Sequence, residues 1–196
     1  MDKKLSDMTL EEVWQLFPVT LTAHDPQWQV WYSDEAVNLK KLIAPRDCKI
    51  HHIGSTAVKT IFAKPTVDIL VELRDKESLR AVADILCADG YIEMSSDATR
   101  ISLNKGYTER GYAERVFHIH LRLDGDRDEI FFRDYLIAHP DVAARYERLK
   151  LDLQQKFKYD RDGYTAAKHD FISKATAAAK AGFAQCERAH DRTDVF

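Results

Sequence analysis

The sequence predicts an α+β domain, with one mixed β-sheet carried between helices at its N- and C-terminal ends. Three observations lead there. Between residues 46 and 125, apolar residues recur at period two in several short runs, as strands with one buried face require. Before residue 45 and after residue 130 they recur every three or four residues, the period of amphipathic helices. No repeat, low-complexity linker or break interrupts the 196 residues, a length that suits a single domain. The expected organisation is one domain over 1–196, with an N-terminal helical layer (1–45), a sheet core (46–125) and C-terminal helices (130–190).

The elements follow in order. Thr9-Leu10-Glu11-Glu12 opens a short helix, with Thr9 as cap and Glu12 where a capping-box partner belongs. Leu10, Val13, Trp14 and Phe17 keep helical spacing, and Pro18 ends it. Asp25-Pro26 starts a second helix that runs to about Ile43, with Trp28, Trp31 and Tyr32 on its apolar side. These aromatic residues are expected to pack an N-terminal layer on the sheet. Cys48 to Ile53 reads as a strand broken by Gly54-Ser55-Thr56, and Thr66 to Leu73 as a second strand rich in β-branched residues. Glu77 to Ala88 is an amphipathic helix closed by Asp89-Gly90, and Tyr91 to Met94 a short strand. Arg100 to Asn104 and Arg115 to Leu123 are two more strands, separated by a loop from Lys105 to Glu114. Helices follow from Phe132, from Asp141 to Phe157, and from about Thr165 to Arg188.

Composition narrows the function classes. A hydrophobic share of 45% and a charged share of 31% are ordinary for a globular protein. A net charge of −3 argues against a dedicated nucleic-acid binder, which carries a basic footprint. A nucleotide-sized ligand needs only a few local cations. Cys48, Cys87 and Cys186 are widely spaced and odd in number, which argues against a disulfide framework and for a reducing compartment. The first residues lack the apolar run of a signal peptide, and no stretch approaches the roughly 20 apolar residues of a membrane span. A cytoplasmic protein with no membrane partner is expected.

The chemistry-bearing residues gather around one corner. Gly54 lets the backbone approach a ligand, the amides after it can face a phosphate at a helix start, and Ser55 and Thr56 add hydroxyls. Side chains alternate across a strand, so Asp68 shares a face with Thr66, Leu70 and Glu72, opposite Val67, Ile69, Val71 and Leu73. By the same parity His118, His120 and Arg122 share a face opposite Phe117, Ile119, Leu121 and Leu123. Two imidazoles two residues apart on a strand can bind a metal or touch a phosphate. If the two strands are neighbours, Asp68, His118 and His120 converge beside Gly54-Ser55. His51 and His52 point to opposite faces, so only one can reach that corner. Lys64, Arg115 and Arg122 are the cations expected to meet phosphate. Lys150 and Lys168 sit at helical positions that could point back to the cleft or into solvent.

The chain resembles the GrpB family, also grouped as UPF0157. The resemblance is carried by Leu16-Phe17-Pro18, Trp28-Gln29-Val30-Trp31-Tyr32, His52-Ile53-Gly54-Ser55-Thr56-Ala57-Val58 and Ala63-Lys64-Pro65-Thr66-Val67-Asp68-Ile69-Leu70. Lys105-Gly106-Tyr107-Thr108, Val116-Phe117-His118-Ile119-His120 and Phe132-Arg133-Asp134-Tyr135-Leu136 extend it, as do Tyr146 with Leu149-Lys150 and Tyr164 with Lys168. That family is similar to the DNA polymerase β-like nucleotidyltransferases. The likeness implies a nucleotidyltransferase-like sheet, a nucleoside triphosphate as substrate, and carboxylates holding two divalent ions. Gly54-Ser55 and Asp68 match that pattern. The second carboxylate position falls on Leu70, and the third near His118 or His120. A divalent metal, Mg²⁺, Mn²⁺ or Zn²⁺, is the implied cofactor; Mg²⁺ prefers hard oxygen ligands, so one Asp and two His suit Zn²⁺ or another transition metal better. Glu72 lies about 13 Å along the strand, too far to chelate the same ion.

Three functions are consistent with these residues. The first is transfer of a nucleotidyl or phosphoryl group to a small-molecule acceptor. In it Gly54, Ser55, Thr56 and Lys64 hold phosphates, Asp68, His118 and His120 form the catalytic and metal set, and Arg115 and Arg122 steady developing charge. The second is a non-catalytic nucleotide-binding or regulatory module. The third is a transition-metal-dependent phosphoryl hydrolase.

Overall fold

The computed structural model describes residues 3–191, so both ends of the expected 1–196 domain lie outside the described residues. Helix α1 (Leu10–Leu16) starts on the expected capping box, in which Thr9 Oγ1 accepts from the Glu12 amide at 3.3 Å and Glu12 Oε2 from the Thr9 amide at 2.7 Å. Helix α2 (Gln27–Ile43) follows an Asp25 carboxylate that accepts from the Gln27 amide at 2.9 Å. Strand β1 (Lys49–Ile53) and strand β2 (Val67–Leu73) flank the Gly-Ser corner. Helix α3 (Lys76–Ala88) is capped by Asp75, whose carboxylate accepts from the Ser78 amide at 2.7 Å. Strands β3 (Ile92–Ser96), β4 (Arg100–Thr108) and β5 (Gly111–Leu123) complete the sheet. Helices α4 (Asp128–Ala138), α5 (Pro140–Lys156) and α6 (Arg161–Asp191) close the chain.

The five strands lie in the order β1-β2-β5-β4-β3. Only the β2–β5 pair is parallel, so the sheet is mixed, as expected. A parallel pair needs a long crossover, and α3, β3 and β4 supply it. One face is apolar. Val67, Ile69 and Val71 stand opposite Phe117, Ile119 and Leu121, and α2 and α3 cover them with Trp28, Leu39, Ile43, Leu79, Val82 and Leu86. Burying a continuous aliphatic layer of this kind is the main favourable contribution to the fold. The other face carries the pairs Asp68–His118, Leu70–His120 and Glu72–Arg122. The C-terminal helices form a second cluster around Phe132, Leu136, Tyr146 and Ala175, which grips Val58 and Ile61 of the loop after the Gly-Ser corner. That grip holds α5 and α6 beside the polar face.

Four expectations are corrected. No residue of α1 is buried, so the N-terminal layer on the sheet is α2 alone, and Phe17 packs instead on Tyr107 and Tyr112. The loop expected over 105–114 is β-structure with a tight turn, because Tyr107 pairs with Tyr112 and Thr108 with Gly111. The helix expected after Gly54 is a single 3-10 turn, Ser55–Ala57, too short to carry a helix dipole worth the name. The last helix begins at Arg161, four residues before the expected start. Cys48 and Cys87 are free thiols, while the side chain of Cys186 lies outside the described residues. No helix among the described residues is long and apolar enough to cross a membrane.

Candidate functional site

The corner is built by contact between Gly54 and Asp68. Gly54 has φ +70°, a conformation that L side chains rarely adopt. A Cβ placed there would lie 2.9 Å from Asp68 Cβ and Cγ and closer still to Oδ2. The register explains the closeness, since Ile53 at the end of β1 pairs with Asp68 near the start of β2. Ser55 follows, and its hydroxyl oxygen lies 3.1 Å from Lys150 Nζ. Lys150 is almost fully buried, at 2% exposure, and also donates to the Phe62 carbonyl.

Asp68 sits beside two imidazoles whose proton positions follow from their neighbours. Arg161 Nη2 lies 2.6 Å from the Tyr107 oxygen and can only donate to it. Tyr107 therefore gives its own proton to His118 Nε2, 2.8 Å away. A neutral His118 then carries its hydrogen on Nδ1, which lies 3.2 Å from Asp68 Oδ1. The same logic holds for His120. Arg122 Nη2 donates to His120 Nδ1 at 3.4 Å, leaving Nε2–H to face Asp68 Oδ1 at 3.5 Å. Burial pushes the Asp68 carboxyl up, but the two imidazoles outweigh it and hold it well below the usual carboxylate range. Burial pushes His118 down, against the opposing pull of Asp68, so it stays neutral. The Tyr107 phenol is pushed up to about 12, first by burial, and keeps its proton.

Three amines and a guanidinium surround this carboxylate. Lys64 and Lys168 both lie over the Tyr164 ring, at 5.5 and 4.4 Å from its centroid, and Lys150 lies 4.8 Å over Tyr146. Arg161 lies 5.0 Å over Tyr107. Burial pushes Lys64 and Lys150 down to about 7 and Lys168 to about 8. Mutual repulsion adds to this, since the Lys168 charge lowers both Lys64 and Lys150. Among the described residues, none of these four cations has a carboxylate within ion-pair distance. Rings on one side and like charges on the other leave the cluster complementary to an anion.

The whole arrangement lies within a stretch, residues 18–178, that matches the family described as "GrpB protein". The chain belongs to the GrpB family. Among its relatives is the UPF0157 protein YqkA of Bacillus subtilis, 30% identical over 90% of this chain and 52% of the relative. This chain thus spans about half the length of that protein. The glutamate-rich protein GrpB of Alkalihalophilus pseudofirmus is 33% identical over 79% of this chain and 91% of the relative. The crystal structure of conserved protein GrpB from Enterococcus faecalis superposes with a TM-score of 0.71 at 29% identity, covering 84% of this chain and 99% of that one.

In this GrpB chain the expected site residues divide into two groups. Gly54, Ser55, Lys64, Asp68, His118 and His120 come together. Thr56, Arg115 and Arg122 do not meet the cleft as phosphate ligands. Thr56 is buried and gives its hydroxyl to His52 Nε2 at 3.0 Å, on the helix-covered face where His52 stacks on Tyr32. Burial pushes His52 down to about 4, which keeps it a neutral structural group. His51 shares the Asp68 face but contacts Glu72 at 2.8 Å. Arg115 lies two residues from Phe117, on the apolar face, where it pairs with Asp34 at 3.0 Å and covers Trp31. Arg122 is held by Glu129 at 2.8 Å and positions His120. Tyr107, Tyr146, Arg161 and Tyr164 were not anticipated. A signal for two of them existed, since Tyr146–Lys150 and Tyr164–Lys168 repeat an aromatic and a lysine four residues apart on one helix face.

The divalent metal implied by the transferase likeness does not fit these residues. A metal needs the imidazole lone pairs, and here Tyr107 and Arg122 occupy them while both N–H groups face Asp68. The second carboxylate position is Leu70, which is fully buried, and β4 brings Ser102 and Asn104 opposite His120 and His118. Among the described residues no group of three or more His, Cys, Asp or Glu is arranged to hold a metal. Asp68, His118 and His120 are therefore a hydrogen-bonded set, and no step through Mg²⁺, Mn²⁺ or Zn²⁺ is derived from them.

Proposed function

We propose that this GrpB-family chain binds a nucleotide by its phosphates at the Gly54–Ser55 corner, as a binding or regulatory module on a nucleotidyltransferase-like scaffold. The observation that carries the reading is the set Lys64, Lys150, Lys168 and Arg161, four cations gathered around the corner without a carboxylate partner. Lys150 is buried and the other three are half-buried, and charge held there without a counter-ion is costly unless a ligand supplies one. The likeness of Gly54-Ser55 and Asp68 to the transferase motif supports a phosphate chain as that ligand. The hydrolase reading depends on a metal set whose lone pairs are already used.

Group transfer to a small acceptor is favoured by one observation, the ordered chain from Asp68 through His118 to Tyr107. Such a chain can hold a proton at a defined atom, and no metal is needed for that. The two readings part on turnover. Titration calorimetry with ATP, GTP, CTP, UTP and sodium tripolyphosphate is expected to give saturable binding. Lys64→Gln and Lys168→Gln should each weaken it about tenfold, the worth of one charge-assisted hydrogen bond. Lys174→Gln, on an exposed turn of α6, should leave it unchanged. Release of pyrophosphate, lost in Tyr107→Phe, would select the transfer reading. No binding of any of the five probes would sink both.

A further inference from the structure

We infer that this site takes its polyphosphate free of divalent metal, with Lys64, Lys150, Lys168 and Arg161 neutralising the charge that metal ions neutralise in the transferases its motif resembles. The inference rests on the phosphate-binding reading above and adds the chemical form of the ligand. It is carried by a separate observation, the hydrogen-bond pattern around Asp68.

Both imidazoles that could ligate a metal beside Asp68 are committed elsewhere. His118 has one lone pair in its neutral form, on Nε2, and Tyr107 donates to it at 2.8 Å. His120 has one, on Nδ1, and Arg122 donates to it. Asp68 Oδ1 takes the two remaining N–H groups, and Oδ2 lies beside the Gly54 backbone as a lone oxygen with, among the described residues, no second carboxylate near it. Freeing this set for a metal would mean breaking the Tyr107 and Arg122 bonds together, and Arg122 is itself buried and tied to Glu129 and to the Leu121 carbonyl.

The charge balance points the same way. A bound polyanion draws the three amines to their ammonium forms, so four cations then face one carboxylate, and a further dication would be repelled by each of them. A triphosphate without metal carries about four negative charges. Magnesium would cancel two of them and occupy the oxygens that the amines would otherwise bind. Lysines on ring faces are well suited to the task, because a compact ammonium meets any free phosphate oxygen without bidentate alignment. In this scheme Asp68 is a positioning residue. It fixes two imidazoles and opposes, by its own charge, the anion bound beside it.

Two measurements on the full chain test this. In the first, sodium tripolyphosphate and ATP are titrated in EDTA and again with Mg²⁺ in excess. Tight binding in EDTA that weakens about tenfold or more with Mg²⁺ is expected. Binding that requires Mg²⁺, or tightens with it, overturns the metal-free form while leaving phosphate binding intact. No binding in either condition overturns both. In the second, Asp68→Asn is compared with the wild type after its circular dichroism confirms a folded protein. Loss of one nearby negative charge is expected to tighten tripolyphosphate binding by roughly two- to tenfold. A metal ligand at this position would instead abolish binding, and that result overturns the inference. If the variant does not fold, the magnesium titration on the wild type still decides.

Discussion

A methyl group on Gly54 would occupy the space of the Asp68 carboxylate, and the residue that carried it would be held at φ +70°. Both penalties fall on the same corner. Gly54→Ala is expected to cost about 1–3 kcal/mol of stability, measured by urea denaturation. It should also displace Asp68 from the imidazoles, which an NMR titration would register as a still lower pKa for His118, because the Asp68 charge is what pulls it up against burial. A variant as stable as the wild type with unchanged imidazole titrations would sever the corner from the site. The amines make a second prediction at this scale. An unfolded lysine titrates near 10.5, whereas Lys64 and Lys150 titrate here at about 7 and Lys168 at about 8, because burial and like charge disfavour the ammonium. Between those values the unfolded chain binds more protons, so this contribution makes the ligand-free protein more stable as pH rises from 7 towards 10. The cost is fully present below pH 7. Denaturation midpoints measured across that range in the wild type and in Lys64→Met should differ in slope, with the variant flatter. Parallel slopes would remove Lys64 from the cationic cluster.

At the scale of elements, what the sequence could reveal depended on the regularity of the backbone. Parity is unbroken along β2 and along β5 from Phe117 to Leu123, so the sequence assigns Asp68, His118 and His120 to one face. Two residues before Phe117, Arg115 falls on the apolar side as well, and its contacts with Asp34 and Trp31 of α2 put it there. Positive charge beside a strand suggests a phosphate ligand at Arg115, but its position on the α2 side takes it away from the corner. Tyr107 defeats parity. Lys105 pairs with Phe117 on the apolar face, and simple alternation would send Tyr107 there too. The register shifts between Lys105 and Tyr107, at Gly106 with φ +95°, where a Cβ would press on the Arg115 carbonyl and on Val116 Cα. A bulge turns the side chains beyond it to the opposite face, and so the phenol reaches His118. The helices are legible to a different degree. Period 3.6 predicts α5 and α6 as elements, and the paired Tyr-to-Lys spacings put ring and amine on one side of each. Periodicity along one helix cannot say which neighbour that side will face. That is fixed by the grip of Phe132, Leu136 and Tyr146 on Val58 and Ile61, a tertiary contact with no local signature.

At the scale of the whole molecule the cleft is a seam between two bodies of structure. The sheet and its corner supply Gly54, Ser55, Lys64, Asp68 and the imidazoles, while α5 and α6 supply Lys150, Arg161 and Lys168. Lys64 stands on the sheet side and Lys150, Arg161 and Lys168 on the helix side, and the ammonium forms repel one another across the seam while Asp68 draws Lys168 back. A bound polyanion reverses the sign of that force and joins the two sides. The consequence is measurable as linkage. Tripolyphosphate at a hundredfold over its dissociation constant contributes about 2.7 kcal/mol. For a domain of this size that raises the melting temperature by roughly 5–10 °C. Hydrogen exchange tells bridging from local binding, because a bridge slows exchange on both sides together. Protection is expected over residues 54–64 and over 161–170 in the same titration, with the α3 amides as an unchanged control. Protection confined to the loop would place the anion on the sheet side alone and leave α6 without a part in the site.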